Sequence, residues 1–402
     1  MKILVNDFSG HPFQIQLSRQ LAKRGHTVLH TYCASFLTPH GALNSQKRDS
    51  DRLHIQAIQL DAPFEKHALW KRWRQERKIG RALVEAAAKF KPDIIISANM
   101  PLGAQGVLLR YARKHGISFV FWIQDLYSIG IVAALKALLP VVGAPIGMAF
   151  RWYERRLLTA SSHVVAISED FICFLPVAAS NRTTVIENWA PLEDLPVLPR
   201  SNAWSRAQGL DDKLCFLYSG TLGMKHNPAL LLELARQFKS RDSVQIVVIS
   251  EGPGAEYLIR EAAAQGLRNL TVMGFQPFEL MPQILASADI LVAILEKEAG
   301  VFAVPSKVLT YLCARRPLLL AVPSDNLAAR IVNDNQAGLV IPPDDLPAFV
   351  TAAQHLAGDK GLRDSLAEHG RAYAERKFEI ERITDQFESL LQAASAKHLR
   401  GV

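Results

Sequence analysis

Six short apolar runs in the second half of the chain, each followed by a helical pattern or a polar turn, leave little freedom of architecture. They are Leu214–Ser219, Val244–Ile249, Leu270–Met273, Ile290–Ile294, Pro317–Ala321 and Gly338–Ile341. Strands without polar alternation must be covered on both faces, and helices interposed between them supply both the cover and the crossover. The pattern predicts an α/β fold built on a doubly wound parallel sheet. The first half opens in the same manner. A strand over Lys2–Val5, a turn at Gly10-His11, a helix to Arg24, a turn at Gly25-His26 and a strand over Thr27–Tyr32 make a βαβ unit. Further strands are expected at Asp93–Ser97, Ile117–Ile123 and His163–Ile167, with a helix opening at Ser168.

A chain of 402 residues is too long for one simple core and suits two domains. Residues 1–185 are read as the first, 186–211 as a linker and 212–376 as the second, with 377–402 as a terminal segment carrying an amphipathic helix over Glu379–Ala394. The linker contains ENWAPLEDLPVLPR, rich in proline and without periodicity, and Asn188 and Trp189 are expected to anchor it.

The chemistry concentrates in LCFLYSGTLGMKHNPALLLE, residues 214–233. A strand ends in Ser219-Gly220-Thr221, turns through Gly223 and reaches Lys225 before a helix opens near Asn227-Pro228. Converging backbone N–H groups, a helix N-terminus and a lysine together describe a phosphate site. An ordinary βα turn that only permits tight packing fits the same residues. A second stretch, VPSKVLTYLCARRPLL, starts a helix at Ser306, a natural N-cap, with Lys307 in its first turn. A cation there opposes the helix dipole unless an anion lies beside it, although a solvated lysine is the common case. Taken together, Lys225 and Lys307 describe a clamp for a diphosphate. Glu251-Gly252 and Gly274-Phe275 follow successive strands at their carboxyl ends, so they line the same rim. Phe275 also fits a core position.

In the first half, Asp125 follows a strand end where ligands of parallel sheets gather, although a helix N-cap or turn aspartate fits the same position. His11 is either a site residue or a solvated turn residue. The helix in Phe64–Phe90 interleaves Lys66, Lys71, Arg72, Arg74, Arg77, Lys78 and Arg81 with Trp70 and Trp73, which suits either an anionic membrane surface or a solvated face. Ile129–Phe150 is the most apolar stretch, but Lys136, Pro140 and Pro145 argue for a buried or interfacial helical hairpin over a membrane span. Peripheral membrane contact is therefore expected through 64–81 and 129–156. The formal charge of +8 is compatible with phosphate-bearing ligands or anionic lipid, and without a nucleic-acid motif that class of partner is set aside. Cys33, Cys173, Cys215 and Cys313 are widely spaced and read as buried reduced thiols. The apolar run Ile3–Val5 is too short for a signal-peptide core, so a cytoplasmic location is expected.

The order SGTLGMKHN, ISEGPG, VMGF and PSKVLTYLCARRPL resembles the C-terminal domain of the retaining glycosyltransferases of family four, in the bacterial branch that builds surface polysaccharides. The resemblance covers most of the chain and is strongest over Phe216–Val340. It implies the GT-B fold, two Rossmann-like domains facing a cleft, with the acceptor on the first, a nucleotide sugar on the second, and the terminal helix crossing back to brace the first. By the same resemblance the Gly274-Phe275 turn holds the nucleobase and Asp125 lies near the reacting sugar. Thr310 stands where a glutamate binds the ribose, and a second family glutamate falls on Phe302, with Glu298 able to serve if its loop bulges. Thr221 replaces a phosphate-binding arginine common among relatives. The implied reaction is metal-independent and cofactor-free transfer, with retention, from a UDP-sugar to a lipid-linked or saccharide acceptor. A catalytically weakened partner subunit fits the two threonine replacements, and a nucleotide-sugar 2-epimerase fits the shape but needs more carboxylates and histidines.

Overall fold

The computed structural model describes residues 1–35, 42–61, 69–138, 143–295, 297 and 306–399. The chain falls into two compact units, one of Met1–Asn188 with the segment from Ile380 onward, the other of Trp189–Glu379.

In the first unit the order is β1 (Lys2–Asp7), α1 (Pro12–Lys23), β2 (Thr27–Cys33), β3 (Leu53–Ile58), α2 (Leu69–Phe90), β4 (Ile94–Ala98), α3 (Leu102–Lys114) and β5 (Ser118–Ile123). Then come α4 (Tyr127–Leu138), α5 (Gly143–Ala160), β6 (His163–Ala166), α6 (Val177–Ser180) and β7 (Thr183–Val185). The strands form one parallel seven-stranded sheet in the order β3-β2-β1-β4-β5-β6-β7. The central strands β1, β4 and β5 are buried almost throughout, as their unbroken apolar runs require. The chain travels outward from β1 to β3 and then reverses to β4. Right-handed crossovers therefore place α1 on one face and α2, α3 and α5 on the other.

The second unit runs α7 (Ala203–Ala207), β8 (Leu214–Ser219), α8 (Ala229–Gln237), β9 (Val244–Ile249), α9 (Pro253–Gln265), β10 (Leu270–Met273), α10 (Met281–Ala286) and β11 (Ile290–Ile294). It continues through α11 (Ser306–Cys313), β12 (Leu318–Ala321), α12 (Leu327–Asp334), β13 (Gly338–Ile341), α13 (Leu346–Gly358) and α14 (Lys360–Lys377). Its six parallel strands lie in the order β10-β9-β8-β11-β12-β13. Phe216, Ile246, Val248, Val292 and Leu319 from the sheet pack with Leu231, Leu234 and Phe349 from the helices. In each unit the winding direction reverses once, between β1 and β4 and between β8 and β11. At such a reversal adjacent connections leave toward opposite faces and open a crevice at the carboxyl ends.

The last helix, α15 (Ile380–Leu399), packs on α1 and β5 of the first unit. Arg24, at the end of α1, meets Glu381, Asp385 and Glu388 at 2.6, 2.6 and 2.7 Å, and these carboxylates hold its guanidinium firmly protonated. His26 lies 2.8 Å from Glu388. Beneath this polar seam the fully buried Phe387 ring rests 4.8 Å from Trp122.

Several expectations need correction. Edge strands β3 and β7 escaped the sequence reading because they are only partly buried and carry little apolar signal. Thr183–Val185 pairs with β6 at the sheet edge, just before the proline-rich connection. Ser168 caps a 3-10 segment, Glu169–Phe174, in place of an α-helix, because Pro176 forces an extended Leu175. Cys173 sits on that segment and is exposed, whereas Cys33, Cys215 and Cys313 are buried thiols. Ile129–Phe150 divides between α4 and α5, and none of the described helices is long and apolar enough to cross a membrane.

Replacing Phe387 with alanine removes the ring from a dry contact, and a cost of about 3 kcal/mol is expected. Chemical denaturation followed by circular dichroism measures it. A loss below about 1 kcal/mol would show that α15 is not an integral part of the first unit's core.

Candidate functional site

In the second unit the site is assembled where β8 meets the start of α11. The amide of Ser219 donates to the Tyr311 hydroxyl at 2.8 Å, and that hydroxyl donates back to the Ser219 carbonyl at 3.0 Å. Lys307 lies one helical turn before Tyr311, so both face the end of β8. The Lys307 amine donates to the Tyr218 hydroxyl at 2.6 Å and sits 3.8 Å from the centre of the Tyr218 ring. The same hydroxyl donates to the Thr221 carbonyl at 2.7 Å. Tyr218 thereby fixes the lysine and the turn with one oxygen, and burial raises its pKa so that it keeps its proton.

Gly220 follows with φ of 132°, a conformation that side chains resist, and a Cβ placed there would come 2.9 Å from the Lys307 amine. The glycine is required twice, by the backbone and by the amine. Burial pushes that amine down to about 7 from an ordinary 10.5. It rests on a phenol and an aromatic face, both neutral, so its charge is left without a counter-ion among the described residues. Such an amine is a receptor for an anion.

The converging amides expected of this turn are engaged elsewhere. Gly220 donates to Ile249 at 3.0 Å, extending the β8–β9 ladder, Ser219 donates to Tyr311, and Gly223 donates to His226 Nδ1 at 2.9 Å. Those three N–H groups are therefore not available to an anion, and the Lys307 amine is the polar group this turn leaves without a charged partner among the described residues. Ser306 is exposed and forms the first residue of α11 instead of its cap. Thr310 is half-buried, with its hydroxyl turned back to the Ser306 carbonyl at 3.4 Å.

The remaining rim residues do come together. A carboxylate oxygen of Glu251 accepts the Phe275 amide at 3.0 Å, which ties the SEGPG turn to the Gly274-Phe275 turn. Gly252, at φ 93°, caps α9 directly after it. The Phe275 ring is 38% exposed, a surface position rather than a core one. Thr221 is exposed beside Gly220. Lys225 falls in the single 3-10 turn Met224–His226, but its side chain lies outside the described residues, as do Glu298, Glu296 and Phe302.

In the first unit, the ends of β1, β4 and β5 gather a polar group that sequence reading recovered only in part. Asp7 is fully buried and accepts the amides of Ser9 and Gly10 at 3.2 and 2.9 Å, and burial raises its carboxyl to about 8. Asn99, at φ 52°, donates to Ser9 Oγ at 2.6 Å and to His11 Nε2 at 3.1 Å. Its side-chain oxygen accepts from the Tyr127 hydroxyl at 2.8 Å. The amide assignment makes His11 Nε2 the unprotonated nitrogen. Asp125 follows β5 as a surface residue, and desolvation by the surrounding protein raises its carboxyl above the ordinary range. A proton acceptor, an imidazole and a phenol therefore share one strand edge. Asn99, Tyr127, Tyr218 and Tyr311 were not singled out from sequence. Their signals were an asparagine where β4 ends before proline and tyrosines adjoining the glycine turn and the lysine helix.

Two family descriptions match the chain. Residues 14–189 match the Glycosyl transferase 4-like domain, and residues 213–359 match Glycosyl transferases group 1. The alpha-D-kanosaminyltransferase of Streptomyces kanamyceticus is 27% identical over 181 residues, 44% of this chain and 45% of that protein. The chain thus aligns with less than half the length of that relative. The putative colanic acid biosynthesis glycosyl transferase WcaI of Escherichia coli K12 is 22% identical over 313 residues, 75% of this chain and 74% of its own. Among solved structures, HepE of Anabaena in complex with UDP and glucose superposes with a TM-score of 0.71 at 15% identity, covering 98% of this chain and 100% of that one. That likeness is one of fold.

The lowered Lys307 pKa has a measurable consequence for stability. A lysine whose folded pKa lies below its unfolded value costs folding energy in full at and below about pH 7, and costs nothing above about 10.5. Lys307→Met should therefore raise the thermal midpoint at pH 6, with the gain closing as the pH approaches 10. Equal gains at both pH values would mean that the amine is solvated.

Proposed function

The chain belongs to the glycosyltransferases, with the two-domain GT-B fold, and from that premise we propose that it transfers a sugar from a UDP-sugar, with retention, to a lipid-linked or saccharide acceptor in cell-surface polysaccharide synthesis in the cytoplasm. The observation that carries this reading is the Lys307 amine, buried against Tyr218 and Gly220 without a counter-ion among the described residues. A diphosphate oxygen beside it supplies the missing charge, and the amine then stabilises the nucleoside diphosphate as the bond to the sugar breaks. Lys225 adds a second cation, and no divalent ion or cofactor is invoked. The exposed Phe275 ring and the Glu251-buttressed turn form the base-binding end, with Thr310 near the ribose. Asp125, with its raised carboxyl, takes the acceptor proton or balances positive charge on the ring, and His11, held by Asn99, orients the acceptor hydroxyl. The UDP bound by HepE and the colanic acid assignment of WcaI support donor and pathway class.

Two threonines, at 221 and 310, favour a second reading, a weakened partner subunit that binds donor without turning it over. Incubation with a panel of nucleotide sugars separates the two readings. Nucleoside diphosphate release that requires acceptor is expected. Isomerised donor would indicate an epimerase, and binding without release would indicate the partner subunit.

The titration of Lys307 gives a further expectation. Anion binding raises the amine's pKa, so UDP affinity should be highest at and below about pH 7 and fall as the pH rises through the bound value. Lys307→Met should weaken UDP roughly tenfold to a hundredfold by calorimetry and flatten that pH dependence. If Lys225→Ala transferred sugar at the parent rate, the two-lysine clamp would be wrong.

A further inference from the structure

We propose that the outer helical face of the first unit, formed by α2, α3 and α5, seats the protein on a bilayer containing anionic lipid. The helices pack in series, α2 on α3 and α3 on α5. Two adjoining grooves run between them. One of about 390 Å³ is lined by Trp73, Arg77, Arg110 and Tyr153 among others, and one of about 290 Å³ by Arg110, Arg113, Trp152, Tyr153 and Arg156. They share Arg110 and Tyr153, so the face is continuous.

Its composition points to one occupant. The three helices carry thirteen lysines and arginines against three glutamates, and two of those glutamates, Glu76 and Glu154, are buried. Large apolar side chains stand in solvent among the cations: Met148 is 68% exposed, Trp152 61%, Trp73 45% and Ile146 40%. On α5, Met148, Trp152 and Arg156 recur at helical spacing on the exposed face. Each exposed tryptophan carries an arginine from four residues on, Arg77 at 4.7 Å from the Trp73 ring and Arg156 at 5.3 Å from the Trp152 ring. A solvated basic face explains the arginines but leaves the methionine and tryptophans in water. A nucleic acid would satisfy arginine and tryptophan but offers nothing to Met148 and Ile146. A bilayer surface meets all three, with phosphates for the guanidiniums, the headgroup boundary for the indoles and acyl chain for the aliphatic tips. The basic segment expected over 64–81 is represented by the α2 part of this face. Arg110 and Arg113 of α3 enter it only through the fold, and residues 62–68 lie outside the described residues.

This surface is independent of the transferase reading, and its test uses no sugar. The full chain is sedimented with vesicles of phosphatidylcholine alone or with phosphatidylglycerol added. Binding to the anionic vesicles only, weakened by salt, is expected. Arg110→Gln with Arg156→Gln should reduce it roughly thirtyfold, since each cation near a charged surface contributes about a fivefold factor. Met148→Ser with Trp152→Ser should reduce it as well, and both exposed variants should keep the parent unfolding midpoint. Equal binding to neutral vesicles, unchanged binding by either variant, or displacement by inorganic phosphate or single-stranded RNA as readily as by anionic vesicles would overturn the proposal.

Discussion

A lysine amine enclosed by a phenol and an aromatic face, with no carboxylate among the described residues to balance it, is the interaction around which the second unit's site is arranged. Every neighbour serves to keep it there. Tyr311 locks the β8 end to α11 through a two-way bond, Tyr218 accepts from the amine and ties down Thr221, and Gly220 vacates the volume that a Cβ would take from the amine. None of these contacts lowers the cost of burying a positive charge very far, because all of them are neutral. Such an arrangement is poor for stability and well suited to an anion that arrives later.

Both units apply one topological rule at different chemistry. Parallel strands deliver their carboxyl ends to one edge, and the reversal of winding, between β1 and β4 or between β8 and β11, opens a gap there. In the second unit the gap is lined by a cation. In the first it is lined by Asp125, His11, Asn99 and Tyr127, anchored from beneath by the buried Asp7 carboxyl that holds the β1 turn. Asn99 sits in a left-handed conformation and bonds both His11 and Tyr127, so a strained residue fixes the relative position of two others.

Central strands were legible and edge strands were not, for a physical reason. Leu214–Ser219, Val244–Ile249 and Ile290–Ile294 match the expected bounds because burial on both faces demands unbroken apolar runs. Thr183–Val185 is half-buried and needs no such run. At the site, glycines and lysines announce themselves because few other residues suit their roles, and Gly220 and Lys307 do stand together. The rings of Tyr218 and Tyr311 are core and only their hydroxyls reach the site, so nothing in the sequence marks them out. The expectation of free backbone amides failed where sequence cannot see, since the β8–β9 ladder runs one residue farther than the glycine suggests and consumes the Gly220 donor.

The threonine at 310 gains meaning from this geometry. Positions 307 and 310 are neighbours at three-residue spacing on α11, where a carboxylate would face the amine and neutralise it. A paired lysine is cheaper to bury and holds a phosphate less tightly, because the incoming anion must compete with the internal one. Thr310 instead turns its hydroxyl to the Ser306 carbonyl and leaves the amine to its neutral partners. If position 310 faces the ribose as proposed, a threonine there gives up one donor contact while sparing the amine an internal competitor. On the proposed reading, the replacement that looks like damage in the sequence leaves the diphosphate, beside a lysine amine without a carboxylate partner among the described residues, as the main handle for a donor.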